Sequence, residues 1–156
     1  GQLKFKQPIQ APTVNAVKLF NSTAAIIKNR LVRLGAVSGN VKQTTGTSGV
    51  KVLGVALNSA TGGGKPVWVQ LFGIADIHAS TRAVVLGAAV RATSGAASTG
   101  TGLGGTIRGC TVTLTTGVPI RANVVGIALT SAGAAAAGTN RTVSVLLMPT
   151  INNPVI

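Results

Sequence analysis

A chain of 156 residues has the size of one compact domain, or of two small lobes that share a core. Its 14 Lys and Arg face a single acidic side chain, Asp76, for a formal net charge of +13, so internal ion pairing is almost excluded and an acidic partner is favoured. With 21 Gly, three Phe, one Trp and no Tyr, the core must be aliphatic, and no apolar run approaches the roughly 20 residues that cross a bilayer.

Residues 1–16 contain Pro8 and Pro12, lack helical periodicity and read as an extended arm. Its cations, Lys4 and Lys6, are followed by no hydrophobic run, so no secretory leader is expected. Val17 to Phe20 reads as a short strand, and Ser22-Thr23 is a candidate cap for a helical turn over Ala24 to Ile27. Leu31 to Leu34 is a strand, and Gly35 to Gly49 looks like a hairpin around Val41-Lys42-Gln43. A strand over Val50 to Leu57 and a glycine turn over Gly62 to Pro66 follow. Val67 to Leu71 alternates Val67, Val69 and Leu71 against Trp68 and Gln70, the pattern of a half-buried strand. Phe72 to His78 continues that strand or pairs with it.

From Thr81 the chain repeats itself. Val52-Leu53-Gly54-Val55-Ala56-Leu57-Asn58-Ser59-Ala60 recurs as Val124-Val125-Gly126-Ile127-Ala128-Leu129-Thr130-Ser131-Ala132, with six of nine positions identical. Leu31-Val32-Arg33-Leu34 matches Ala89-Val90-Arg91-Ala92, Ile26 to Lys28 matches Val84 to Leu86, and Val67 to Leu71 matches Val143 to Leu147. The offset grows from 58 residues (Leu31 to Ala89) to 72 (Val52 to Val124) and 76 (Val67 to Val143). The second copy therefore carries an insertion between Ala92 and Pro119, where Ile107, Cys110, Val112 and Leu114 suggest an added strand or hairpin. The expected fold is all-β: an arm (1–16), a first repeat (17–80), a second repeat (81–150) with an inserted loop (92–119), and a tail (151–156). Neither unit is large enough to bury its apolar face alone, so two barrel-like or sandwich-like units should pack together. In the repeated element Val55 and Leu57 should share one face, leaving Gly54 and Ala56 on the other, where a neighbouring strand can come close.

Groups that do chemistry are scarce. On one strand Asp76, His78 and Ser80 would share a face, but at about 3.3 Å per residue the outer pair would stand roughly 13 Å apart, far beyond the reach of a triad. One acid cannot make a carboxylate pair, and no His/Cys/Asp/Glu cluster offers a metal site. Gly62-Gly63-Gly64-Lys65 is followed by Pro66 and a strand, not the Ser or Thr and helix of a phosphate loop. Gly100, Gly102, Gly104 and Gly105 lack the surrounding strand–helix–strand unit of a dinucleotide site. A lone Cys110 forms no internal disulfide and reads as a small packing residue. Asn21-Ser22-Thr23 and Asn140-Arg141-Thr142 match a glycosylation triplet that matters only to a secreted chain. No enzyme activity, cofactor or metal is expected.

Charge keeps a DNA-binding or packaging role open as an alternative. Against it, the cations stand singly, and stacking platforms would have only Phe5, Phe20, Trp68 and Phe72 to use.

The order of elements resembles a known family. Leu31-Val32-Arg33, a variable hairpin, the Val52–Ala60 element, a glycine turn, Val67-Trp68-Val69-Gln70-Leu71-Phe72-Gly73 and a second copy ending Val143 to Thr150 are similar to the capsid cement or decoration proteins of tailed bacteriophages. The resemblance covers roughly residues 24 to 150. It implies an all-β protein that attaches to the outer surface of an assembled head, bridges major capsid protein subunits and stabilises the shell, often as a homotrimer. The implied location is the virion, with neither membrane nor nucleic acid as partner; another structural role, as a head-fibre base or shell subunit, is the other alternative. The chain departs from the family in charge, with Gly, Thr and Ala in turns where many relatives carry Asp and Glu. The candidate contacts with the shell are Lys4, Phe5 and Lys6 in the arm, with Lys18, Lys28, Arg30 and Arg33 beyond it.

Overall fold

Short β-branched segments separated by glycine turns leave little choice but strands, and the computed structural model contains no helix among the residues it describes (15–22, 24–44, 52–93, 105–110, 124–136, 139 and 141–148). The first five strands are β1 (Ala16–Asn21), β2 (Leu31–Leu34), β3 (Asn40–Gln43), β4 (Gly54–Ala56) and β5 (Pro66–Gln70). They close into a barrel in the order β1-β3-β2-β4-β5, with β5 returning antiparallel to β1. The β1–β3 seam is parallel, pairing Phe20 with Asn40 and Asn21 with Val41.

The next five, β6 (Gly73–His78), β7 (Ala89–Ala92), β8 (Ile107–Cys110), β9 (Val124–Ala128) and β10 (Thr142–Leu147), form a sheet in the order β6-β10-β9-β7-β8. Among the described residues one parallel bridge, Ala79 to Ile107, joins its two ends. Followed around that bridge, the order is β6-β8-β7-β9-β10, the first barrel repeated strand for strand. The fold is all-β and doubled, as the repeat in the sequence implies.

The equivalence reaches single hydrogen bonds. Ile26 bridges Ala60, and Val84 bridges Ala132. Ser59 Oγ accepts from the Lys28 N–H at 2.9 Å, and Ser131 Oγ from Leu86 at 3.0 Å. Asn58 Oδ1 accepts from Trp68 at 2.8 Å, and Thr130 Oγ1 from Ser144 at 2.9 Å. The polar ends of the repeated element are therefore ties: the serine holds the turn before β2 or β7, and the residue before it holds the following strand. Asn29 and Gly87 occupy the same left-handed turn position, at φ 63° and 81°. Gly54 and Gly126 meet the same constraint: a β-carbon on either would run into a backbone carbonyl of the next strand, that of Gln70 or Leu146. Gly54 admits a close strand, while Ala56 is a buried side chain of the first core.

Buried and more exposed positions alternate along β10 and through most of β5. Val32, Val41, Ala56, Val67 and Val69 fill the first barrel with Ile26. Ala75, Ile77, Val84, Val90, Ile107, Val143 and Val145 fill the second. Leu31 and Val55 belong to β2 and β4 yet pack into the second core, because they face outward from the first barrel. Burying them contributes about 1.5–3 kcal/mol each and makes one body of the two barrels.

Four expectations change. Val41-Lys42-Gln43 is a strand, not the tip of a hairpin; the turn lies before it, where Gly35 N–H donates to Asn40 and Gly39 has φ 80°. Ala24 to Ile27 form no helical turn, since Ile26 is engaged with Ala60. Phe72 to His78 does not extend β5: β6 pairs with β10, so the second unit begins at Gly73, not Thr81. β8 is no addition but the counterpart of β3, which splits the insertion into two parts, one on each side of it. Of the expected arm, 1–16, residues 1–14 lie outside the described residues. Leu71 N–H donates to Asn15 O, and Ala16 pairs with Gln70, so residues 15 and 16 belong to the first barrel. The tail, Val112 and Leu114 lie outside the described residues.

Candidate functional site

The candidate cations occupy different settings. Lys4, Phe5 and Lys6 lie outside the described residues. Lys18 is exposed on the outer face of β1, opposite Trp68, and Lys28 is exposed in the turn before β2. Arg33 is half-buried opposite Lys42, and its Nε has no hydrogen-bond partner. Arg30 is only 3% exposed, and its Nε donates to His78 Nδ1 at 3.4 Å. Arg30 therefore serves the joint between the barrels rather than an outer surface.

That joint is a wedge. The segment Asn29–Leu31 enters between β6 and β8: His78 N–H donates to Asn29 O at 2.8 Å, and Leu31 N–H to Gly105 O at 2.7 Å. In the first barrel the equivalent groups close on each other, Phe20 N–H to Gly39 O at 3.1 Å. Gly105 sits so tightly that a β-carbon would meet Gln43 Cγ at 2.7 Å and Arg30 Cβ at 2.9 Å. Gln70 Nε2 adds bonds to the carbonyls of Phe72 (3.0 Å) and Ile74 (2.8 Å), fixing the start of β6. Burial, then the charge of Arg30, holds the His78 imidazole below its usual pKa. Burial likewise lowers Arg30. A neutral His78 accepting at Nδ1 suits the Arg30 donor.

Asp76, His78 and Ser80 are turned to separate partners. Asp76 is exposed and accepts from Ser144 Oγ at 2.7 Å, His78 faces Arg30, and Ser80 Oγ accepts from the Arg82 N–H at 3.4 Å. Among the described residues no group of three or more His, Cys, Asp or Glu is placed to hold a metal. Asn21 is buried, with Nδ2 donating to Ala24 O and Oδ1 accepting from Lys65, so its amide is structural.

The described residues also present two surface features. Ala16, Leu57, Asn58 and Trp68 line an open groove of about 330 Å³ on the first barrel, with Lys18 beside the indole. On the second barrel Ile74, Leu146 and Ile127 make a cross-strand row exposed by 65%, 39% and 37%. The alternation of β5 made Trp68 legible as an outward residue. The second row is not signalled in the same way, because Ile, Leu and Ile in strands read as core. Only comparison with its counterpart row, Ala16, Gln70 and Val55, marks it as a face.

No protein-family model matches the chain, and no curated protein matches it. Among solved structures it is similar to the head fibre gp8.5 N base of bacteriophage phi29, with a TM-score of 0.53 and 13% sequence identity over 86% of this chain and 96% of that one. At that identity the likeness is one of fold. It spans both barrels of this chain and nearly all of the phage domain.

Proposed function

We propose that this chain is a structural component of a phage head, a decoration protein that binds the outer surface and bridges major capsid protein subunits. The observation that carries the reading is the likeness of fold to a head-fibre base, over 86% of this chain and 96% of that one. The surface agrees with it. Barrels with few free edges, a Trp68 groove and an excess of cations suit adhesion to an acidic lattice. Many copies on one shell gain from multivalency, since each bridge opposes separation of its neighbours. Lys18 beside Trp68, Lys28, and the arm residues Lys4, Phe5 and Lys6 are the side chains assigned to the shell, and a homotrimer is the assigned form.

The same structural likeness favours one second reading, the base of a head fibre. Both readings put the protein on the outside of a head. Purified heads lacking the protein, mixed with the full chain and sedimented, test the attachment. Saturable co-sedimentation that weakens with salt is expected. Free protein remaining in the supernatant at every concentration refutes the attachment.

A further inference from the structure

The chain shows what its own repeated surface does when covered. On the first barrel the outward row Leu31–Val55–Gln70 lies under β6 and the start of β8. The buried state of Val55 (0% exposed) and Gln70 (7%) is due to that cover. The same three positions on the second barrel are Ala89, Ile127 and Leu146, paired in the same order across β7, β9 and β10. Here Ile127 and Leu146 stand open, and Ile74 extends the row. The uncovered row is the more apolar of the two: Leu146 replaces Gln70. Val85 and Leu86, in the adjoining turn, are exposed as well.

The other half of the contact is also duplicated. The β6/β8 seam that covers the first barrel has its equivalent in the β1/β3 seam, where Phe20 holds the place of His78 and Gly39 that of Gly105. Phe20 projects there 43% exposed. Two adjustments fit this seam to the open row. Ala88 stands where Arg30 stands, so an apolar Phe20–Ala88 contact replaces the polar His78–Arg30 one. Ala89 is smaller than Leu31, which suits a seam already shut by the Phe20–Gly39 hydrogen bond rather than one wedged open.

We infer that a second copy of this chain covers the β7–β9–β10 face, presenting the β1/β3 seam of its first barrel with Phe20 foremost. The contact is head to tail, continuing between chains the arrangement that joins the barrels within one. Such an interface uses two different patches and closes into a ring when its rotation permits. It deepens the multi-copy part of the proposed function by naming the two surfaces, and it requires no shell.

The test uses the full chain in solution, with mass read by light scattering at tens of micromolar and folding by circular dichroism. The wild type should be a discrete oligomer. Ile127→Asp (row) and Phe20→Asp (seam) should each fall to the 15.4 kDa of one chain while remaining folded. Mixed in equal amounts, they should give dimers, because each keeps the patch that the other has lost. Leu146→Lys provides a second row variant should Ile127→Asp fail to fold. A monomeric wild type, variants that keep the wild-type mass, or a mixture that stays monomeric would each overturn the inference. A monomer that still co-sediments with heads would overturn this contact and leave the attachment standing.

Discussion

Adding one methyl group at Gly54 or Gly126 probes the doubled architecture directly. At each position a β-carbon would fall on a backbone carbonyl of the next strand, and a valine methyl, of Val69 or Val145, lies 2.9 or 2.8 Å from it. The obstacle is backbone, so relief requires β4 to move off β5, or β9 off β10. Overpacking of this kind costs about 1–3 kcal/mol, and more where the backbone resists. At about 2–4 °C per kcal/mol for a chain of this size, Gly54→Ala and Gly126→Ala should each lower Tm by roughly 2–12 °C. The two losses should be similar, because the two sites are copies. Gly133→Ala is the control, since nothing lies within 4 Å of its added carbon and its φ is not positive. Calorimetry of the three variants decides the matter. A Gly54→Ala protein that melts with the wild type, or a Gly133→Ala protein that loses as much as the others, would refute the packing argument.

Three further outcomes follow from the structure. His78 is the only histidine, and burial with the Arg30 charge sets its folded pKa below the unfolded value of 6.5. The unfolded chain therefore binds more protons in the window below 6.5, so stability is complete above that pH and declines as pH falls toward the folded pKa. The urea midpoint should drop on acidification through this window, and His78→Gln should flatten that part of the profile; an unchanged slope would contradict it. Gly87 has φ 81° where its counterpart is Asn29, so Gly87→Asn should be nearly neutral while Gly87→Val costs about 1–2 kcal/mol by thermal melting. Removing residues 1–14, which stops short of the Asn15 and Ala16 contacts with the first barrel, should weaken head binding and leave Tm unchanged.

The doubling was legible because aliphatic strands with a Gly-x-Ala core and a polar close keep their pattern through changes in loop length. Alternation in Val67 to Leu71 likewise placed Trp68 outside and Val67 and Val69 inside. The boundary between units was hidden. Phe72 to His78 follows β5 without an obvious break, and only the φ of 88° at Gly73 turns the chain into the second sheet. The strand at Ile107 was legible, but its equivalence to β3 was hidden for a different reason, since the loops on either side of it differ in length from those around β3. Arg30 misled because an arginine in a strand-rich basic chain reads as surface, and nothing local shows that His78, 48 residues on, will cover it. The apolar row on the second barrel could not be separated from core by pattern alone, because a residue's inward or outward sense depends on which barrel wall it joins.

Attachment to the outside of a head is the central claim, and the protein's position in intact particles tests it most directly. Electron cryomicroscopy of purified particles, compared with particles lacking this chain, should show extra paired-barrel density at regular sites on the outer surface. Density inside the shell, or protein lost with the released genome, would contradict the account.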